Sequence, residues 1–241
     1  MLSAFSRLKR TSDKPEQDLG GPIKVLFVGF ALYIISQLVA VLALNFIYGS
    51  DAQSIWTDFW YVFIAEAGAA WLVYALVKRR GVGLSFIGLG RRPVLNDAVK
   101  GVMGVLVCYL LLFTASILLN VLAPDFKTDQ KQNLGFNNIT SGTAQLLAFI
   151  ALAIFPPIAE EILVRGYMFS GLRARLKFWP SALIVSLLFG LAHLQLGSGD
   201  PLVWGAAIQT FILSIVLVKL RESTGALYAG ILVHFINNVI K

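Results

Sequence analysis

Seven long apolar runs, separated by short polar stretches, restrict the folds that this chain can adopt. A helix that crosses a membrane needs about 20 mostly apolar residues. The lipid interior offers no partners to backbone N–H and C=O groups, so runs of that length span it as helices. We therefore predict an all-α, polytopic membrane bundle of about seven transmembrane helices. The predicted spans cover residues 25–48, 55–77, 101–123, 143–170, 180–196, 201–218 and 224–240.

The composition agrees with a chain that lies largely in lipid. Of the 241 residues, 57% are hydrophobic and 14% are charged, whereas a typical soluble domain has about 25% charged residues. A soluble enzyme, a disordered chain and a collagen-like rod are thereby excluded. The net charge of +7 does not indicate a nucleic-acid partner, because the basic residues form short clusters between apolar runs.

The basic residues also predict the orientation and the regions of the chain. Cytoplasmic loops carry an excess of Lys and Arg. The N-terminal tail and the second, fourth and sixth loops hold 16 of the 20 basic residues, and the opposite side holds 3. We predict a cytoplasmic N-terminus and an external C-terminus. The predicted regions are a basic cytoplasmic tail at 1–24, an N-terminal transmembrane region of three spans at 25–142, with a cytoplasmic connector along the interface at 81–100, and a functional transmembrane region at 143–241.

Few ionisable side chains lie within the predicted spans. A charge at the centre of a membrane helix costs about 2.5–3.5 kcal/mol on insertion scales, so such residues indicate function. Both histidines of the chain are among them. Glu66, in the second span, has no role that the sequence indicates. The others, with two amides of the last span, are Glu160, Glu161, Arg165, His193, His234, Asn237 and Asn238.

Helical spacing sorts these residues into faces. Residues four apart share a face, while adjacent residues point about 100° apart. Glu161 and Arg165 can therefore neutralise each other, which leaves Glu160 on a different face. Two further pairs have the same spacing: Phe189 with His193, and His234 with Asn238.

The predicted topology brings the acid and the two histidines to one depth. At a rise of about 1.5 Å per residue, Glu160, His193 and His234 lie roughly 15, 20 and 15 Å from the cytoplasmic boundary. Pro156 and Pro157 precede Glu160 and lack an N–H, so we expect an interruption of the helix there. Backbone freed at this depth must be buried in protein or line a water-filled cavity, and hydrolysis needs such water.

Three short motifs occur in order in the second half of the chain: Glu160-Glu161-x-x-x-Arg165-Gly166, Phe189-x-x-x-His193 and His234-x-x-x-Asn238. Together they resemble the CPBP family of intramembrane proteases, also called Abi. This family includes the type II CAAX prenyl endopeptidases and bacterial proteins of bacteriocin processing or self-immunity. Val164 departs from the family's pattern, in which a phenylalanine commonly precedes the arginine. The resemblance implies that residues 143–241 form a catalytic transmembrane core.

The resemblance further implies an endopeptidase that uses activated water to hydrolyse a peptide bond of a membrane-anchored protein or hydrophobic peptide. Glu160 and His193 would hold and activate that water. His234 and Asn238 would stabilise the oxyanion. The supporting pair would be Glu161 and Arg165.

The cofactor stays open at this point. Glu160, His193 and His234 could hold a zinc ion with an open position for water, or the glutamate could act without a metal. The expected partners are the substrate and the lipid bilayer, and the bacterial relatives imply the plasma membrane of a prokaryote.

Two other classes of function stay open on the sequence alone. A non-catalytic bacteriocin self-immunity or scaffold protein would keep the motifs and act by binding. An ion-coupled transporter would use Glu66, Glu160 and the histidines as a relay. Such carriers often contain related halves, and the sequence shows no such repeat.

Overall fold

Seven helices, and no strand, make up the part of the chain that the structure describes. The structure is a computed structural model, and the described residues are 19–49, 54–126, 136, 139, 141–195 and 202–240. Most of the predicted basic tail, residues 1–18, lies outside them. The helices are α1 (Pro22–Tyr48), α2 (Ile55–Arg79), α3 (Leu95–Leu122), α4 (Gly142–Arg173), α5 (Phe178–Ala192), α6 (Trp204–Thr224) and α7 (Tyr228–Ile240).

Five of these helices, α1 to α4 and α6, are long and apolar enough to cross a membrane. The other two are apolar but shorter, with 15 residues in α5 and 13 in α7. The chain is therefore an integral, multi-pass membrane protein with an all-helical fold, as predicted. The predicted boundaries are wrong mainly for the last three helices: α5 ends at Ala192, α6 continues to Thr224, and α7 begins at Tyr228.

Local capping explains where several helices begin and end. The Ser54 hydroxyl accepts a hydrogen bond from the Thr57 N–H at 3.2 Å and so caps the start of α2. Gly225 has a φ of 68°, in the left-handed region that favours glycine, and ends α6. The Asp97 carboxylate accepts a hydrogen bond from the Val94 N–H at 3.0 Å, so α3 begins at Leu95 and not at residue 101 as predicted.

Helix α4 lies at the centre and packs against α1, α2, α5, α6 and α7, while α3 packs on α6 and α7. Two stretches of α4 are π-helical, Ile150–Ile154 and Glu161–Phe169, and the prolines lie in the α-helical turn Phe155–Glu160 between them. The expected interruption is therefore absorbed by widened turns, and the chain stays helical. Such π-helical turns within α-helices are frequent at functional sites.

Small residues allow α1 to approach α4 closely. A Cβ on Gly29 would lie 2.7 Å from Met168 Cγ, and one on Gly171 would lie 2.7 Å from Val25 Cγ1. Membrane helices commonly associate through such small residues, because packing rather than the hydrophobic effect holds them together. A second apolar cluster, around the buried Cys108, joins α3 to α6 and α7.

The segments predicted to be cytoplasmic meet at one end of the bundle. Arg80, after α2, donates a hydrogen bond to the Leu19 carbonyl at 3.1 Å. Arg173, at the end of α4, pairs with Glu222 near the end of α6 at 2.8 Å. An alternation of spans requires this common end. The membrane side that it faces stays a prediction.

The connector between α2 and α3 packs against the end of the bundle. Ile87 is fully buried. Arg221 of α6 donates hydrogen bonds to the Phe86 carbonyl at 2.7 Å and to the Ser170 hydroxyl at 3.1 Å. These bonds join the connector to α6 and α4, at the end of the bundle described above.

Candidate active site

One imidazole, that of His234 on α7, lies between two carboxylates of α4. Its Nε2 is 3.8 Å from Glu160 Oε2, and its Nδ1 is 3.4 Å from Glu161 Oε1. The His234 and Glu161 side chains are 4% and 1% exposed, whereas the Glu160 side chain is 21% exposed. Glu160 is therefore the less buried of these two side chains.

Gly230 explains how α7 comes so close to these carboxylates. A Cβ at this position would lie 2.8 Å from Glu161 Oε2. Gly230 precedes His234 by one helical turn and shares its face. The absence of a side chain at Gly230 thus makes room for Glu161 beneath the imidazole.

Glu161 and Arg165 form the ion pair that their spacing predicts. Arg165 Nη1 lies 2.9 Å from Glu161 Oε1, and the two side chains are 0% and 1% exposed. The guanidinium carbon of Arg165 also lies 4.3 Å from the centre of the Phe189 ring. Arg165 is therefore held by a carboxylate and by the face of an aromatic ring.

Phe189, on α5, packs between Arg165 and both histidines. Its ring centre is 4.7 Å from that of His193 and 6.0 Å from that of His234. The sequence marks this residue only through its spacing from His193, and its part in joining the three motifs was missed. The site therefore contains a connected set of side chains. His234 lies next to both Glu160 and Glu161, and Glu161 pairs with Arg165. His193 joins this set through the Phe189 ring.

His193 lies one residue beyond the end of α5 and not within a helix as predicted. Its φ of −94° and ψ of 6° depart from the helical values. Its Nδ1 is 2.8 Å from the Phe189 carbonyl oxygen. A carbonyl can only accept, so Nδ1 carries the hydrogen, and in the neutral ring Nε2 holds the lone pair. Nε2 is thus the ring nitrogen that can act as a hydrogen-bond acceptor.

The two amides near the end of α7 form a short hydrogen-bonded chain. Asn238 Nδ2 donates to the Leu152 carbonyl of α4 at 3.0 Å. Asn237 Nδ2 donates to Asn238 Oδ1 at 3.2 Å. Asn237, which is 3% exposed, is a residue to which the sequence gave no separate role. The signals for it were its amide within an apolar span and its spacing of three residues from His234.

Glu66 lies beside this site, on the part of α2 that packs against α4. Phe63, one turn earlier on α2, contacts Phe155 with ring centres 5.2 Å apart. Helix α2 packs along the turn that ends at Glu160.

The possible metal ligands among the described residues are not arranged as a metal site. Among the residues that the structure describes, no three His, Cys, Asp or Glu side chains are grouped so that they could hold a metal ion. A structural or catalytic zinc site uses three or four protein ligands. Glu160, His193 and His234, whose donor atoms could hold a zinc ion, are not grouped as such a set in the described part of the chain.

Comparison with protein families identifies the segment that carries these residues. Residues 142–240 match the family described as Type II CAAX prenyl endopeptidase Rce1-like. Comparison with curated proteins and with solved structures gives no match. The matched segment runs from the start of α4 to the end of α7 and leaves α1 to α3 outside it. Residues 142–240 are therefore similar to this family of CAAX proteases, which agrees with the resemblance of their three motifs.

Proposed function

We propose that the protein is an intramembrane endopeptidase in which Glu160 activates a water molecule for attack on a peptide bond. The observation that carries this proposal is the position of His234 between Glu160 and Glu161, within the segment that matches a protease family. Hydrolysis needs a group that moves a proton and donors that bind the developing negative charge. Glu160 provides the first, and the N–H groups of α7 provide the second.

In the proposed reaction Glu160 takes a proton from water, and the water oxygen forms a bond to the carbonyl carbon of the substrate. The Nε2 of His193 accepts a hydrogen bond from the same water. The carbonyl oxygen becomes an oxyanion, which is stabilised by an N–H group of Asn238 and by the Nε2–H of His234. For this step His234 acts as the imidazolium, whose Nδ1–H faces Glu161 while Nε2–H faces the oxyanion. When the carbon–nitrogen bond breaks, Glu160 returns its proton to the leaving amine. The products are a carboxylic acid and an amine, between which one proton then moves to give a carboxylate and an ammonium group, and Glu160 regains its starting charge.

The buried pair of Glu161 and Arg165 serves as support in this mechanism. Glu161 Oε1 faces His234 Nδ1 at 3.4 Å and so orients the imidazole, as carboxylates do for catalytic and metal-bound histidines in other enzymes. Arg165 neutralises Glu161 in a place that is closed to solvent. Glu160 can thus change its protonation while the adjacent carboxylate keeps its counter-charge.

The substrate class follows from where the site lies. Its residues come from three helices of a membrane bundle, so the bond to be cut must be presented at or within the bilayer. We propose a membrane-anchored protein or a hydrophobic peptide as the substrate. The excess of basic residues in the even-numbered loops supports a cytoplasmic location for the end of the bundle near Arg173 and Glu222.

A comparison of membrane proteins from cells that carry the wild type or Glu160→Gln tests this function. We expect new protein N-termini, generated by cleavage, in wild-type membranes and their loss in the variant. Purified wild-type protein in detergent should then cleave the same bonds in synthetic peptides. An identical set of N-termini in both strains would reject proteolysis and favour action by binding.

Zinc content and chelation test the metal-free form of the mechanism. Because the described donors form no three-ligand set, we expect purified wild-type protein and His193→Ala to contain the same substoichiometric zinc by mass spectrometry. We also expect cleavage to persist after dialysis against a chelator. One zinc per chain in the wild type, lost in His193→Ala together with activity, would replace this mechanism by a metal-dependent one.

A further inference from the structure

The Leu152 carbonyl on α4 has no helical donor left to it. In an α-helix this oxygen accepts from the N–H of residue 156, and in a π-helix from that of residue 157. Both residues are proline and lack an N–H. The nearer N–H, that of Phe155, is bonded to the Ile150 carbonyl. Because an unpaired carbonyl at membrane depth is unfavourable, the Leu152 oxygen needs a partner from outside α4.

Asn238 supplies that partner across the interface between α7 and α4. Its Nδ2 lies 3.0 Å from the Leu152 oxygen. The carbonyl can only accept a hydrogen bond, so Nδ2 must point towards Leu152 and Oδ1 must point away. Because the prolines leave the Leu152 carbonyl without a helical donor, they determine the orientation of the Asn238 amide.

Asn237 binds the other end of the Asn238 amide. Its Nδ2 donates to Asn238 Oδ1 at 3.2 Å, and its side chain is 3% exposed. Asn237 also lines a cavity of about 410 Å³ between α3, α6 and α7, while Asn238 contacts α4. The Asn238 amide is therefore held at both of its ends, by Asn237 and by Leu152.

We propose that Asn237 is a positioning residue of the active site, acting through Asn238 to tie α7 to the π-helical turn of α4 that precedes the prolines. His234 lies one turn before Asn238 on the same face of α7. The tie at Leu152 therefore sets the height at which His234 meets Glu160. It also sets the direction of the second hydrogen on Asn238 Nδ2, the one that would bind the oxyanion in the proposed reaction. The catalytic part of this inference rests on the proposed function, and the structural part does not.

A double-mutant cycle on thermal stability tests the structural part without a substrate. Asn238→Ala should lower the melting temperature of the purified protein, because the Leu152 oxygen is left unpaired. In a Pro156→Ala background the N–H of residue 156 can bond to that oxygen, and the loss should shrink to less than half. Asn120→Ala, which removes an exposed asparagine of α3, should have the same small effect in both backgrounds.

Equal losses from Asn238→Ala in the two backgrounds would overturn the inference. If Asn238→Ala alone folds too poorly to be purified, recovery of folded protein when Pro156→Ala is added would show the expected compensation directly. Failure of that recovery would count against the tie, provided that Pro156→Ala alone is folded.

Kinetics test the role of Asn237. Asn237→Ala should reduce kcat about tenfold with little change in KM, as expected when one hydrogen bond that orients a transition-state donor is lost. Asn237→Gln keeps an amide donor and should recover part of kcat. An unchanged kcat in Asn237→Ala would overturn the proposal. A different outcome is also informative: the stability losses of Asn238→Ala and Pro156→Ala are non-additive, but the protein has no proteolytic activity. That outcome would reject the proposed function and keep the bond between Asn238 and Leu152.

Discussion

Glu160→Gln is expected to reduce kcat/KM for peptide cleavage by about 1,000-fold, within the range of general acid–base catalysis. Glutamine keeps the size and hydrogen-bonding capacity of the side chain but cannot take a proton from water or return it to the amine. The effect should fall on kcat, because proton transfer occurs in the transition state and not in substrate binding. The measurement is cleavage of a peptide identified in the membrane comparison, by purified protein in detergent.

Glu66→Gln provides the matched control, since it makes the same chemical change at another glutamate within a membrane helix. Glu66 lies beside the site but is outside the proposed mechanism, and we expect less than about a tenfold change. Melting temperatures of both variants should stay near that of the wild type. Retention of a tenth or more of the activity in Glu160→Gln would show that another group is the base.

Arg165→Met is expected to lower the free energy of unfolding by about 3–5 kcal/mol, the range for breaking a buried ion pair from one side. The Glu161 side chain is 1% exposed and would be left as a buried carboxylate without its arginine. Contact with the Phe189 ring is lost as well. Chemical denaturation in detergent micelles, followed by circular dichroism, measures the change.

Two further variants separate an uncompensated charge from lost packing. In the double variant Glu161→Gln with Arg165→Met no charge remains buried, so most of the lost stability should return. Arg173→Met breaks the pair with Glu222, whose side chains are 31% and 35% exposed, and should cost at most about 1 kcal/mol. A double variant as unstable as Arg165→Met would show that packing, and not the unpaired carboxylate, dominates.

Much of the candidate site could be predicted from the sequence because its groups are rare. Charges and imidazoles are unfavourable in apolar helices, so Glu160, Glu161, Arg165 and both histidines stand out. The pair of Glu161 and Arg165 depends only on spacing within one helix, and the structure contains it as predicted. The number of helices follows in the same way from the length of each apolar run.

The exact ends of the short helices and the contacts between helices could not be predicted from the sequence. The position of His193 beyond α5 depends on where that short helix ends, which hydropathy locates only within a few residues. The same limit applies to α7, which begins at Tyr228 because Gly225 ends α6 and a short turn follows. The role of Phe189 between the histidines and Arg165 requires the packing of α5 against α4.

The prolines of α4 show the division most clearly. The sequence by itself determined that the chain is a helical membrane protein, that its polar groups are concentrated in α4, α5 and α7, and that Pro156 and Pro157 remove two N–H donors from α4. Only the tertiary structure decided that α4 widens into π-helical turns around the prolines and that Asn238 bonds to Leu152. The physical reason is that periodicity and hydropathy act within one segment of chain, whereas the partner of a freed carbonyl is chosen by the packing of helices far apart in sequence.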